Sequence, residues 1–165
     1  MRAHFAAALA AALVLVVSAG VAHARPGKPS VAPPKGATEQ INFEYAARAF
    51  GICARVARCK SGELWLEKAT ALEARWVVPG TVALEKLERH YRDLFEKQGY
   101  TVIGAEVDEI TGARGLAAMK KEKGSSNRVR GVELIFRKTR APANSPSFDA
   151  IEYFEGVGTP LGPSA

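Results

Sequence analysis

Residues 72–99 read LEARWVVPGTVALEKLERHYRDLFEKQG, and the fold expected for this chain turns on them. The first part alternates, with Leu72, Ala74, Trp76 and Val78 on one side and Glu73, Arg75 and Val77 on the other. Side chains on a strand point to opposite faces in turn, so this reads as a half-buried strand ending at Pro79. Pro79-Gly80 makes a turn, and the Thr81 hydroxyl is suited to accept an unpaired backbone N–H where a helix begins. Leu84, Leu87, Tyr91 and Leu94 then recur at helical spacing, with Phe95 widening the stripe. Glu85 with Arg89, Glu88 with Arg92 and Asp93 with Lys97 form i,i+4 pairs on the outer face, each worth only ~0.2–0.5 kcal/mol. Gly99 supplies a left-handed stop.

Beyond the helix, Tyr100-Thr101-Val102-Ile103 opens a second strand running toward Val107, and residues 115–121 offer a third. Gly124-Ser125-Ser126-Asn127 is a turn cluster, and residues 129–136 make a β-rich fourth strand with Val132, Leu134 and Phe136 on one face. The expected class is therefore α+β: one main amphipathic helix packed on an antiparallel β-meander, with an N-terminal helical or loop segment. Residues 38–70 are ambiguous. Ile41, Phe43, Tyr45 and Ala47 alternate as a strand would, whereas the Ala and Arg content after Thr38 favours a helix over 39–50 that stops at Gly51. The helix is the reading adopted.

The two ends differ in composition from this middle. A short basic start, Met1-Arg2-Ala3-His4, precedes the apolar run Phe5 to Val17, and Ala22-His23-Ala24 has the small-x-small form of a signal-peptidase site. A core of thirteen residues falls short of the ~20 needed to span a bilayer. Residues 1–24 are thus expected to be a cleaved signal, leaving no transmembrane anchor and an exported product, periplasmic or extracellular. Residues 25–37 are rich in Pro and Gly and read as a flexible leader. The single domain is expected over 38–140. Residues 141–165 form a Pro/Gly/Ser-rich tail in which Phe148, Ile151 and Phe154 recur at helical spacing as a short amphipathic segment.

Charge is uneven. Cleavage after Ala24 leaves 22 basic residues against 17 acidic, a net charge of +5. Residues 111–140 alone carry nine basic residues and two acidic ones, a surplus of +7. Much of it flanks the Gly124 turn, with Lys120, Lys121 and Lys123 before it and Arg128 and Arg130 after. A hairpin there would gather five anion-contact candidates at one tip, suited to phosphate or carboxylate groups on an anionic envelope surface or an acidic protein partner. The competing reading is edge protection, in which lysines discourage sheet-to-sheet association. Export and the lack of interleaved aromatics for base stacking argue against nucleic acid.

Cys53 and Cys59 are the only cysteines, and export places them in an oxidising compartment. On a continuous helix they would be separated by ~9 Å of rise, and on a strand by ~20 Å. A bridge needs Cα atoms within about 7 Å. Two arrangements remain: a looped segment after Gly51 carrying a disulfide, or two free thiols buried in a helix. The disulfide is the reading adopted. The spacing is not Cys-x-x-Cys, which argues against a redox role.

Once the signal is removed His90 is the only histidine, flanking the apolar stripe beside Leu87 and Leu94. One histidine assembles no Cys/His zinc cluster, and no Gly-x-Ser-x-Gly occurs to support a catalytic triad. No catalytic residue, metal ligand or cofactor is assigned. Glu106, Asp108 and Glu109 cluster before Thr111-Gly112 and are weak carboxylate candidates for acid–base work or Ca²⁺. Gly112 and Gly115 make no phosphate loop, because no Lys-Ser/Thr follows.

Pro33-Pro34-Lys35-Gly36-Ala37, Trp76-Val77-Val78-Pro79-Gly80-Thr81, Tyr91 and Gly99-Tyr100-Thr101-Val102 occur in an order that resembles small exported bacterial domains of unknown function. The resemblance covers about half the chain, names no characterised family and implies no activity. The cysteine-bearing insert from Gly51 to Gly62 departs from it. The balance is against an enzyme. The expected function is an exported, non-enzymatic envelope binding or accessory domain whose basic hairpin contacts an anionic surface or partner. The alternatives are a small secreted carboxylate-dependent hydrolase and a structural subunit of an envelope complex, the latter favoured by an aromatic patch left exposed beside Trp65.

Overall fold

Alternation dominates the backbone. In the computed structural model, which describes residues 26–80, 82–139 and 148–161, six strands and one helix form in the order β1 (Thr38–Ile52), β2 (Leu64–Pro79), α1 (Leu84–Lys97), β3 (Thr101–Val107), β4 (Arg114–Lys121), β5 (Val129–Lys138) and β6 (Phe148–Pro160). All six strands belong to one sheet in the spatial order β1-β2-β6-β5-β4-β3, and every pairing is antiparallel. The molecule is therefore mostly antiparallel sheet with one short helix, which corrects the expected α+β class of a main helix on a meander.

Two segments account for that correction. Residues 38–52, expected as a helix, form β1, where Tyr45 lies opposite Ala71, Phe43 opposite Glu73 and Ile41 opposite Arg75. The period-two pattern of Ile41, Phe43, Tyr45 and Ala47 outweighed the helix-favouring Ala and Arg content because β2 offers a full-length partner. The tail segment, expected as a short amphipathic piece, is β6, a central strand inserted between β2 and β5. Ile151 packs on the helix side of the sheet and Phe154 on the other. A stripe read at helical spacing thus serves two faces.

The sheet is buried on both sides. On one side α1 places Leu84, Leu87, Tyr91 and Phe95 against Trp76, Leu116, Val132, Leu134, Phe136, Ile151 and Tyr153. The helix starts from Ala83, which makes no side-chain cap, whereas the expected capping residue Thr81 lies outside the described residues. It ends as anticipated: Gly99 takes φ +76°, its N–H donates to the Glu96 carbonyl at 3.0 Å, and the Tyr100 N–H donates to Phe95 at 2.9 Å. These two bonds form a Schellman stop. Residues 26–37, expected to be a solvated leader, are docked on the same side. Val31 is fully buried, the Gly27 N–H donates to Asn42 at 3.1 Å, and the Tyr91 hydroxyl donates to the Ala32 carbonyl at 3.1 Å. Residues 1–25, 140–147 and 162–165, which contain the expected signal and parts of the tail, lie outside the described residues.

On the other side, residues 50–59 leave the end of β1 and cross the sheet obliquely. Cys53 adopts φ 61°, which turns the chain out of the strand. The crossing segment rests on glycines of successive strands: the Ile52 side chain against Gly131 of β5, and the backbone of Ala57 against Gly115 of β4 and of Arg58 against Gly104 of β3. Cys59 then forms a bridge with Gly104, so the chain leaving one edge strand reaches the other edge. Cys53 and Cys59 are joined by a disulfide with Cα atoms 5.7 Å apart. Burial on two sides also explains why residues 129–136 look almost continuously apolar.

Candidate functional site

The β4–β5 hairpin gathers the five basic candidates. Lys120 lies directly opposite Arg130 and Lys121 opposite Val129. The intervening turn is closed by the Glu122 N–H donating to the Arg128 carbonyl at 3.0 Å and the Arg128 N–H donating to the Ser125 hydroxyl at 3.2 Å. Gly124 takes φ +78° at its tip. The five are not equivalent. Arg130 donates Nε–H to Glu122 at 2.7 Å and pairs through Nη1 with Glu155. Arg128 donates Nη2–H to the Val157 carbonyl at 3.1 Å. The Lys120 ammonium sits 4.1 Å from the centre of the Tyr100 ring. Lys121 and Lys123 are exposed.

Beneath the hairpin lies a buried polar network that the sequence reading did not find. Glu155, almost fully buried on β6, accepts the Ser30 N–H at 2.9 Å and the Tyr153 hydroxyl as well as Arg130. The Ser30 hydroxyl lies 2.7 Å from the Tyr100 hydroxyl and 3.2 Å from that of Tyr153. The docked N-terminal segment is thereby tied to the sheet and to the strand base of the hairpin. Burial pushes Tyr100 up to about 12, and burial followed by Glu155 raises Tyr153 well above its ordinary value. Both hydroxyls keep their protons at neutral pH and serve as fixed hydrogen-bond partners.

Electrostatics at the tip follow from the same contacts. The Arg130 hydrogen bond is the main cause holding the Glu122 carboxyl below its usual range. Burial works against the Arg130 charge, yet the Glu122 bond and the field of Glu155 outweigh it and raise the group. Burial and then the nearby Arg130 lower Lys120. An open cleft of about 610 Å³ runs between the C-terminal end of α1 at Gln98-Gly99 and the lysines of the hairpin, with Ser30 and Arg130 also on its wall. A smaller one of about 230 Å³ adjoins the other flank of Arg130 and is lined by Lys28, Thr70 and Arg128 among others.

The remaining candidates lie elsewhere. Glu106, Asp108 and Glu109 sit at the β3–β4 turn, at the opposite end of β4 from the basic hairpin. Asp108 accepts the Ile110 and Thr111 N–H groups at 2.9 and 3.1 Å, and these bonds hold its carboxyl below the usual range. Glu106 and Glu109 are exposed. His90 is exposed on α1 with its ring edge-on to Tyr91 at 5.3 Å. Among the described residues, no three His, Cys, Asp or Glu side chains converge as a metal-binding group.

The second missed feature is Glu133. It is fully buried beneath the disulfide loop, where it accepts the N–H groups of Arg55, Val56 and Ala57 at 3.3, 3.1 and 3.2 Å. Arg55 adds an ion pair at 3.1 Å and stacks its guanidinium over Phe154 at 3.6 Å. The signal available for Glu133 was a single glutamate inside the otherwise apolar run of residues 131–136.

The fold and site together define a class: an antiparallel β-sheet domain with a helix on one face and a disulfide-clamped loop on the other. No family model matches this chain, and neither the curated proteins nor the solved structures contain a match to it. Among the described residues no helix is long and apolar enough to cross a membrane.

Proposed function

We propose that this chain is an exported, non-enzymatic accessory domain of the cell envelope that contacts an anionic surface or partner through the β4–β5 hairpin. The observation that carries the reading is the charge balance around the larger cleft. Lys120, Lys121 and Lys123 border it with Arg130, and the acid beside them, Glu122, is already engaged by Arg130. Export is supported by the signal-like residues 1–24 and by the Cys53–Cys59 bridge, a bond that persists in oxidising compartments.

The test is sedimentation of the protein with anionic vesicles across a salt series. Contacts between exposed charges weaken as the screening length shrinks from about 10 Å at 0.1 M salt to about 3 Å at 1 M. Binding is expected to fall steeply over that range, and reversing Lys120, Lys121 and Arg128 to Glu should abolish it. Binding that ignores salt, or no binding at all, rejects the contact. N-terminal sequencing of the mature protein checks export: Arg25 as first residue supports it, and an intact Met1 on cytosolic protein opposes it.

One observation favours a second reading, that of a structural subunit. Trp65 is 42% exposed and Leu161 beside it 45%, with the Leu161 N–H donating to the Trp65 carbonyl at 2.8 Å. Co-purification from envelope extracts that depends on Trp65 and not on the hairpin lysines would select it.

A further inference from the structure

We infer that the 610 Å³ cleft is a site for phosphate monoester groups, an assignment that rests on the anion-contact reading and names its ligand chemistry. The hydroxyls at the site are already committed: those of Ser30 and Tyr100 bond each other, and Tyr153 is spent on Glu155. Recognition therefore falls to the cations. Among the described residues none of the ammonium groups of Lys120, Lys121 and Lys123 is in an ion pair. Arg130 spends Nε and Nη1 on carboxylates and leaves Nη2 without a hydrogen bond to the described residues.

Three ammonium groups without a direct ion pair to the described residues border one concavity, and they favour the ligand with the highest charge density. A phosphate monoester carries about −1.5 to −2 charges at pH 7 and three acceptor oxygens, enough to meet several donors at once. A phosphodiester or a carboxylate brings a single charge. The opposite wall sets where the group sits. Gln98-Gly99 ends α1, and a helix C-terminus carries partial negative charge, so the anion is held on the hairpin side. Lys120 is the fixed member of the set, its ammonium placed over the Tyr100 ring and its charge disfavoured by burial and by Arg130, a cost that a bound dianion relieves.

Two measurements on the mature protein test this. In the first, binding is compared on phosphatidylcholine vesicles containing phosphatidic acid, a monoester, or phosphatidylglycerol, a diester, adjusted to the same zeta potential. A preference of about tenfold for phosphatidic acid, a difference of one decade in Kd, assigns a lipid headgroup. In the second, inorganic phosphate is titrated against chloride at equal ionic strength while amide chemical shifts are followed. Shifts confined to Lys120, Lys121, Lys123 and Arg130, without a vesicle preference, assign a soluble phosphate. Lys123→Ala, on an exposed turn, and Lys120→Ala should each reduce the response several-fold. Equal binding to both vesicles with no localised shifts overturns the monoester assignment while leaving the anionic-surface reading intact. Absence of both vesicle binding and shifts overturns the two together, whereas a phosphate response that survives Lys120→Ala combined with Lys123→Ala overturns the monoester site alone.

Discussion

Glu133 and Ala57 are 76 residues apart in sequence, yet the Glu133 carboxylate accepts the Ala57 amide at 3.2 Å in the interior of the protein. The same oxygen takes the amides of Arg55 and Val56. A loop lying across a sheet has no ladder to satisfy its N–H groups, and buried donors left unpaired are costly. One side chain from β5 resolves this for three consecutive residues.

Replacing that side chain should therefore do more damage than its size suggests. Glu133→Ala strands the buried Ala57 donor and the part-buried donors of Arg55 and Val56, and removes the buried partner of the Arg55 charge, so it is expected to destabilise by about 3–5 kcal/mol. Glu133→Gln keeps an acceptor of nearly the same shape, so its cost should be about 1–2 kcal/mol. Urea denaturation of both variants gives the comparison. Equal losses would mean that the charge paired with Arg55, and not acceptance of the loop amides, is what matters.

The glycines under the loop make a second ordering testable. A Cβ on Gly115 would lie 2.3 Å from the Ala57 nitrogen, and one on Gly104 2.4 Å from the Arg58 carbonyl oxygen, both backbone atoms with little room to yield. A Cβ on Gly131 would meet Cγ1 of the Ile52 side chain at 2.6 Å, a side-chain contact where the other two are to backbone. Gly115→Ala and Gly104→Ala should each cost about 3 kcal/mol, toward the upper end for overpacked interiors. Gly131→Ala should cost less. Gly112→Ala meets nothing within 4 Å and bears only the strain of φ +67°, about 1–2 kcal/mol. Thermal melts rank the four; a Gly112 variant as damaged as Gly115 would refute the close-approach argument.

The Cys53–Cys59 bridge closes a short ring, its ends six residues apart in sequence. In the chain-entropy account so small a loop contributes about 2 kcal/mol. Cys53→Ser with Cys59→Ser should lower stability by roughly that amount without unfolding the protein, because Glu133 and the glycine contacts still hold the loop. Unfolding curves with and without reductant test this for the wild type, and mass spectrometry should find no free thiol. A loss near 5 kcal/mol, the top of the observed range for disulfides, would show that the bridge and not Glu133 carries the loop.

Much of the sheet was legible where one signal acted alone. The C-terminal half of β2 from Leu72, the body of α1 with its Gly99 stop, and the strands of the β3–β5 meander follow from alternation, helical spacing and turn residues near where they were expected. The bridge was legible from geometry, since only a loop brings Cys53 and Cys59 within reach. The failures share a cause. Phe148, Ile151 and Phe154 were read as one face of a helix because a strand buried on both sides lacks clean alternation. The Ala and Arg of residues 46–49 argued for helix with no view of the partner strand, and pairing with β2 decided otherwise. Residues 26–37 looked too rich in Pro and Gly to dock, yet one apolar side chain, Val31, and the Ser30 contacts to Glu155 and Tyr100 suffice. Glu133 escaped notice because the loop amides that justify burying it come from 77 residues away.

Acid should expose one further contact between helix and sheet. Glu88 on α1 accepts Arg114 Nε–H of β4 at 2.7 Å and Arg92 Nη2–H at 2.9 Å. Burial works to raise its carboxyl, but these two hydrogen bonds prevail and hold it below the ordinary 4.5. A carboxylate whose folded value is depressed stabilises the fold fully above its unfolded value and loses that contribution as pH falls through the folded one. Wild-type Tm should accordingly drop as pH is lowered from 4.5. Glu88→Gln preserves the shape of the side chain and removes the titration, so it should start from a lower Tm at neutral pH and show a shallower fall. The two curves should converge in acid, where Glu88 is protonated and resembles the amide. Curves that stay parallel down to pH values at which the wild type unfolds would mean that the Glu88–Arg114 pair contributes no net charge-dependent stability.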